Sequence, residues 1–237
     1  MASHFAGERR VLAIDLPGYG DVAELGAMDV AGMADHVDRR IVKAELEACV
    51  VVGHSMSGKV ATVLAAREPA YLRGLVLLTA SPPSPEPMSA SSRQKLLAFD
   101  GSRHAAADYI DGMTATRLAD DLRELAIADA MRAAPAAWKA WVTDGSQEDW
   151  SSTVGVLRLP TCVIAGASDP SLGEAIQRDR VMPHFAQARL VVIEGGHALP
   201  LENPDDLSRE IELFLATLER PNDLRVIRST ISGRTIT

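Results

Sequence analysis

Basic residues and aromatic side chains are scarce in this chain of 237 residues. It carries 24 Lys and Arg against 32 Asp and Glu, which gives a formal net charge of -8. The chain therefore lacks the cationic surplus that binds nucleic-acid phosphates or anionic lipid. We expect neither nucleic acid nor a membrane as a partner.

Cysteines and long apolar runs are also scarce. Cys49 and Cys162 each lie in an apolar run without a CxxC pattern or a neighbouring histidine, which argues against a disulfide framework and against a zinc site. No run approaches the ~20 apolar residues of a membrane span, and MASHFAGERR lacks the apolar region of a secretory signal. We expect a cytoplasmic protein with free thiols and no metal.

Short apolar segments of strand length are present instead, and they alternate with helical patterns. The segments are RVLAID (10–15), ACVVVG (48–53), RGLVLLTA (73–80), TCVIAG (161–166) and ARLVVIEG (188–195). Near-continuous apolar runs of this kind are typical of strands that are covered on both faces. With helices predicted behind Asp29, Ser55 and Asn203, the pattern predicts a mostly parallel, doubly wound α/β sheet.

One region, residues 82–158, interrupts this alternation with helical patterns and no convincing strand. It holds all three tryptophans. They form the region's own core, or one or two of them, Trp138 and Trp141, face a pocket. The predicted parts of the chain are a first part of the core at 1–81, a helical insertion at 82–158, a second part of the core at 159–220 and a tail at 221–237. The tail has a β-like composition and could pair with an open sheet edge.

The strongest chemical motif is VVVGHSMSGKVA, residues 50–61, where an apolar run leads through Gly53 and Ser55 into a helical pattern. A serine on a sharp strand-to-helix turn presents its hydroxyl above the sheet, and such a turn needs small residues two before and two after the serine. Gly53 and Ser57 occupy those places, so Ser57 stands where a second glycine is usual. The motif predicts a nucleophilic serine.

A serine needs a base to take its proton and an acid to orient that base. Asp169 lies three residues beyond the run TCVIAG, and His197 stands on a glycine loop after the last run. The order Ser55, Asp169, His197 matches the order of triad residues in α/β-hydrolases. We predict that these three residues form a catalytic triad.

On these motifs the chain resembles α/β-hydrolase-fold serine hydrolases that carry a lid. The matching pieces also include IDLPGYGD, LVLLTASPP and EGGHALPLENPDDL, and the insertion stands where the family has its lid. The resemblance implies that Ser55 is the nucleophile, His197 the base, Asp169 the orienting acid and the Met56 backbone N–H an oxyanion donor. It also implies a small-molecule, ester-like substrate and no cofactor.

The chain departs from the family pattern at its beginning. Members normally carry further strands and a His-Gly loop before the strand that RVLAID matches, and this loop supplies the second oxyanion N–H. We therefore expect an N-terminally truncated fold, weak activity and possible self-association through an uncovered sheet edge.

The sequence predicts an acyl-serine hydrolase of a small ester, lactone or thioester, with His54, Trp138 and Trp141 near the substrate. Carbon–carbon bond hydrolysis and perhydrolysis stay open. One alternative is a catalytically silent binding protein of this fold. Another is a nucleotide binder, because GHSMSGKV nearly spells a phosphate-binding loop in which Lys59 would contact phosphate.

Overall fold

A computed structural model describes residue 5, residues 9–22 and residues 26–218 of the chain. In this part of the chain the strands are β1 (Cys49–His54), β2 (Leu72–Leu78), β3 (Thr161–Gly166) and β4 (Ala188–Ile193). The α-helices are α1 (Val30–Lys43), α2 (Met56–Ala65), α3 (Ala90–Leu97), α4 (Arg103–Met113), α5 (Asp120–Ala130), α6 (Pro135–Thr143), α7 (Ser151–Val154), α8 (Glu174–Ile176), α9 (Leu199–Glu202) and α10 (Pro204–Leu218).

The four described strands form one parallel sheet in the order β1-β2-β3-β4. Val52 pairs with Val76, Leu78 pairs with Ile164, and Gly166 pairs with Ile193. In a parallel sheet all carboxyl ends lie at one edge, where ligands bind in open α/β folds. The predicted α/β class with a mostly parallel sheet is confirmed.

Helices cover both faces of the sheet. Leu75, Leu77 and Val163 point to the face covered by α1 and α2. Val76 and Ile164 point to the opposite face, which α10 covers. Alternate residues of one strand are therefore buried on opposite sides, which explains why these strands are apolar without a polar alternation.

Two helices begin at the caps that the sequence predicts. The Asp29 carboxylate accepts a hydrogen bond from the Gly32 N–H at 2.6 Å and caps α1. Before α10, the Asn203 side chain accepts from the Asp206 N–H at 3.3 Å. Each side chain satisfies a backbone donor that the first turn leaves free.

The expected strand over residues 10–15 is wrong. RVLAID forms neither helix nor strand, and no backbone hydrogen bond joins it to another strand in the described part of the chain. Val11 and Leu12 are 44% and 38% exposed. β1 is the outermost strand of the described sheet, and RVLAID does not pair with its open edge. An apolar run becomes a strand only where its backbone groups bond those of a neighbouring strand.

The segment between β2 and β3 contains α3 to α7, and within these fully described residues no strand forms. Helices α4 and α5 pack together around their own apolar cluster, which includes Ile110 and Ile127. The domain boundaries at 81/82 and 158/159 stay a prediction. The tail at 221–237 lies outside the described residues.

Candidate active site

Ser55 occupies the sharp turn between β1 and α2. Its backbone has φ 53° and ψ -121°, a left-handed conformation that is rare for a residue other than glycine. The Ser55 N–H donates to the Leu78 carbonyl, and the Ser55 carbonyl accepts from the Ser81 N–H, both at 3.0 Å. The loop after β2 thus holds the strained turn from both sides, and such a turn presents its serine hydroxyl above the sheet.

Ser57 fills the place of the second glycine through its own hydrogen bonds. The His54 N–H donates to the Ser57 hydroxyl at 2.9 Å, and that hydroxyl donates to the His54 carbonyl at 2.8 Å. Gly53 remains essential for space, since a Cβ there would lie 2.5 Å from the Ser57 carbonyl oxygen. The Ser57 hydroxyl therefore closes this turn with two hydrogen bonds to the backbone of His54.

Gly58 fixes the approach of α2 to the loop after β2. A Cβ at Gly58 would lie 2.4 Å from the Ala80 Cβ, so we expect Gly58→Ala to destabilise the protein by about 1–3 kcal/mol through overpacking. Gly112→Ala is the matched control, because nothing lies within 4 Å of a Cβ there. Gly112 is the second-last residue of helix α4, so this control should change the free energy of unfolding by less than about 0.5 kcal/mol. Urea denaturation should show a loss for Gly58→Ala alone, and equal losses in both variants would contradict the packing argument.

His197 and Asp169 are in direct contact. The His197 Nδ1 lies 2.8 Å from the Asp169 Oδ2, and the two side chains are 2% and 0% exposed. A hydrogen bond at Nδ1 leaves Nε2 as the ring nitrogen that can accept a proton. The pair has the geometry of an orienting acid and a base.

The Asp169 carboxylate is held in its charged form. Burial by itself would raise its pKa, but the hydrogen bond and charge of His197 and the N–H groups of Ser171 and Leu172 lower it to about 2. Its Oδ1 accepts from the Ser171 N–H and hydroxyl, each at 2.8 Å, and from the Leu172 N–H at 3.0 Å. One oxygen is thus anchored to the loop, and the other is left for the imidazole.

His54 connects the turn of Ser55 to the histidine loop. Its Nε2 lies 2.8 Å from the His197 carbonyl oxygen, and the two imidazole rings are 5.1 Å apart between centroids. Burial and the nearby charge of His197 lower the pKa of His54 to about 4. His54 is therefore neutral at physiological pH and donates its Nε2–H to the carbonyl.

Of the two tryptophans predicted near the substrate, Trp138 has its contacts within the helical segment, and Trp141 faces Lys59 of α2. Trp138 stacks on Phe99 with centroids 4.3 Å apart and meets Tyr109 edge-on at 4.9 Å, and its Nε1–H donates to the Leu96 carbonyl at 2.7 Å. The Trp141 ring lies 5.9 Å from the Lys59 amine. Their contact with substrate stays a prediction.

Lys59 is buried and has no exposed surface. Its amine donates to the carbonyls of Glu148, Gly145 and Ser146 at 3.0, 3.4 and 3.5 Å. These contacts point the amine at the helical segment and away from the preceding loop, which argues against the phosphate-binding alternative. In this structure Lys59 ties α2 to the turn after α6.

The buried amine gives stability a distinct pH dependence. Burial lowers the pKa of Lys59 to about 8, although nearby Glu86, Glu148 and Asp149 oppose this shift. Between pH 8 and the unfolded value of about 10.4, the unfolded chain binds more protons, so the contribution of Lys59 to stability rises by about 1.4 kcal/mol per pH unit. The difference in free energy of unfolding between the wild type and Lys59→Met should therefore rise with pH at this slope.

The control for this measurement is Lys139→Met, which removes an exposed lysine in α6. The difference between wild type and Lys139→Met should not change over the same pH range. A flat difference for Lys59→Met as well would mean that the amine is solvated.

Sequence reasoning missed two residues whose side chains bond the neighbouring loops. Ser171 contacts both Asp169 and His197, since its hydroxyl also lies 3.3 Å from the His197 Nδ1. Gln177 is fully buried and bonds both the N–H and the carbonyl of Ala80, at 3.2 and 2.9 Å. No local pattern marks Gln177, because its partner lies 97 residues away.

The described residues include no group of three or more His, Cys, Asp or Glu that is placed to hold a metal. Both cysteines are free, and burial raises the pKa of each thiol to about 11. None of the helices in this part of the chain is long and apolar enough to span a bilayer.

Comparison with known proteins gives the same fold. The chain superposes on a thermophilic esterase from Thermogutta terrifontis with a TM-score of 0.78 and 22% identity, over 91% of this chain and 83% of that one. An enol-lactonase from Burkholderia xenovorans gives a TM-score of 0.76 at 19% identity, over 90% and 84%. At these identities the likeness shows the fold alone.

Curated relatives are similar in sequence. A pimeloyl-[acyl-carrier protein] methyl ester esterase of Yersinia pseudotuberculosis is 39% identical over 82 residues, which span 35% of this chain but only 29% of that protein. The protein of the same name from Neisseria meningitidis is 30% identical over 199 residues, 78% of this chain and 74% of that one. The sequence profile described as the alpha/beta hydrolase family matches residues 1–210. The chain belongs to the alpha/beta hydrolase family.

Proposed function

We propose that this protein is a serine hydrolase that cleaves a small carboxylic ester, thioester or lactone through an acyl-serine intermediate. The observation that carries the proposal is the 2.8 Å contact between His197 and Asp169, with Ser55 on its strained turn beside His54. Each of the three residues follows a strand at the carboxyl edge of the sheet, in the order that this family uses.

The chemistry follows from these roles. The Ser55 oxygen attacks the substrate carbonyl while Nε2 of His197 takes its proton, and the imidazolium returns that proton to the leaving group. Asp169 stays charged and stabilises the imidazolium. Water then attacks the acyl-serine with the same base and releases the acid.

The developing oxyanion is placed at the start of α2 in this proposal. Met56 is the first residue of that helix, and N–H groups of a first helical turn have no acceptor within the helix. The Met56 N–H and the positive end of the helix can stabilise the negative oxygen. A second donor would have to come from another segment.

The substrate class rests on the surroundings and on the relatives. The helical segment after β2 contains an aromatic cluster of Phe99, Tyr109 and Trp138, and a segment of this composition over the site would suit an uncharged acyl group better than an anion. The relatives named pimeloyl-[acyl-carrier protein] methyl ester esterase favour an ester as the bond cleaved. We take the helical segment as the lid over this site.

The experiment is covalent labelling with a fluorophosphonate, run beside hydrolysis of p-nitrophenyl butyrate. Labelling that peptide mapping assigns to Ser55, together with ester turnover, is the expected result. A folded protein that neither labels nor hydrolyses a panel of p-nitrophenyl and methyl esters would support the silent binding protein instead.

A further inference from the structure

The loop that carries His197 is bound directly to the helical segment. The N–H groups of His197 and Ala198 both donate to the Met113 carbonyl, at 2.9 and 3.2 Å. Met113 is the last residue of α4. The backbone of the proposed base therefore contacts the proposed lid without any intervening side chain.

Glu202 joins the same two segments through its carboxylate. One oxygen accepts from the Gly196 N–H at 2.9 Å, next to His197. The other accepts from the N–H groups of Ala115 and Thr116, at 2.6 and 3.3 Å, in the turn that follows α4. A carboxylate that accepts from backbone N–H groups makes charge-assisted hydrogen bonds, which are stronger than neutral ones.

The fit between the two segments is close. A Cβ at Gly196 would lie 2.7 Å from the Ala115 nitrogen and 3.0 Å from the Met113 oxygen. The turn after α4 therefore rests on the backbone of the histidine loop, where only glycine leaves enough room.

The sheet holds the other side of this loop. The His197 carbonyl accepts from the Nε2–H of His54 at 2.8 Å, and the imidazole is bound by Asp169 at 2.8 Å. The position of the imidazole thus depends on two sets of contacts, one from the sheet and one from the helical segment.

We propose that Glu202 is a positioning residue that couples docking of the helical segment to the placement of His197. When the segment lifts, the loop loses the Met113 carbonyl, the Glu202 carboxylate loses two of its three backbone contacts, and the imidazole loses its backbone support. The base is then competent only while the segment is docked. This inference rests on the proposed function, because it assigns His197 the role of base.

The first test is Glu202→Gln. The amide has one acceptor oxygen, and its NH₂ would face N–H donors on one of the two segments. We expect kcat for p-nitrophenyl butyrate to fall about 10- to 100-fold, since a displacement of about 1 Å at a catalytic group can cost about 10²-fold. KM should stay within about twofold.

The matched control is Glu194→Gln, which removes the same charge from an exposed position in the same loop. It should leave kcat within about twofold. Equal losses in the two variants would assign the effect to net charge near the loop and would overturn the proposal.

The second test approaches the contact from the helical segment. Ala115→Pro removes the N–H that lies 2.6 Å from Glu202, and Thr114 before it is extended at φ -105° and ψ 140°, a conformation that a following proline accepts. We expect a similar fall in kcat, and the double variant with Glu202→Gln should be no slower than the slower single one. Fully additive losses would show two independent effects.

Hydrogen exchange gives a measurement that needs no activity. The N–H groups of His197 and Ala198 donate to the Met113 carbonyl and not to Glu202. We expect these two N–H groups to exchange about tenfold faster in both Glu202→Gln and Ala115→Pro. Faster exchange at these positions would report the coupling itself. Exchange at Ile164 in β3 should not change. Unchanged exchange at His197 in both variants would overturn the coupling, whereas faster exchange in a protein without esterase activity would overturn only the proposed function. If Glu202→Gln does not fold, Ala115→Pro decides both measurements.

Discussion

Ser55→Ala should lower kcat for p-nitrophenyl butyrate by about 10⁶-fold, the size of loss expected when the nucleophile of a triad is removed. The fold should persist, because the Ser55 side chain caps no N–H of α2 and alanine bears the same backbone strain at φ 53°. Covalent labelling by the fluorophosphonate should disappear together with turnover.

The matched control for this substitution is Ser152→Ala, which removes an exposed serine hydroxyl from α7. It should keep full activity and full labelling. Comparable turnover by Ser55→Ala and wild type, with both proteins folded by circular dichroism, would mean that Ser55 is not the nucleophile.

Burial on both faces made the central strands predictable from the sequence. All six residues of TCVIAG are buried in β3, so the unbroken apolar run identified the strand by itself. RVLAID also has a central apolar run but forms no ladder among the described residues. An apolar run records a preference for burial, whereas a strand also requires a partner of complementary backbone groups.

The positions of the proposed triad residues could be predicted for a related reason. Ser55 directly follows β1, Asp169 and His197 come three and four residues after the last residues of their strands, and the carboxyl ends of parallel strands lie at one edge. The contacts that fix the neighbouring loops could not be predicted, because they depend on distant pairs. Glu202 meets Ala115 across 87 residues, and Lys59 meets Glu148 across 89, and no local periodicity encodes such contacts.

The helical segment illustrates the same limit. Its helices were predicted from periodicity, and aromatic residues at the spacing of Trp138 and Trp141 fit either a core or a pocket. In the structure Trp138 stacks on Phe99 and donates to the Leu96 carbonyl. Only the tertiary contacts show what surrounds a side chain that the sequence merely places on a helix.

Asp169→Asn should lower kcat by about 10⁴-fold with little change in KM, as expected when the base is held in the wrong tautomer. The amide oxygen can still accept from the N–H groups of Ser171 and Leu172, at the places that Oδ1 now occupies. Its NH₂ then faces His197 Nδ1 and donates to it. The ring proton therefore moves to Nε2, and Nε2 can no longer take the proton of Ser55.

The control for Asp169→Asn is Asp149→Asn. Asp149 is exposed and makes the same local contact, accepting from the N–H of Ser151 two residues on at 2.9 Å, as Asp169 accepts from that of Ser171 at 2.8 Å. A loss of kcat in both variants would mean that replacing an aspartate in a turn of this kind is damaging by itself. A loss of kcat in Asp169→Asn alone would assign the effect to the contact with the imidazole. The double variant Ser55→Ala with Asp169→Asn should then be no slower than Ser55→Ala, because an orienting acid has no effect once the nucleophile that its histidine activates is gone.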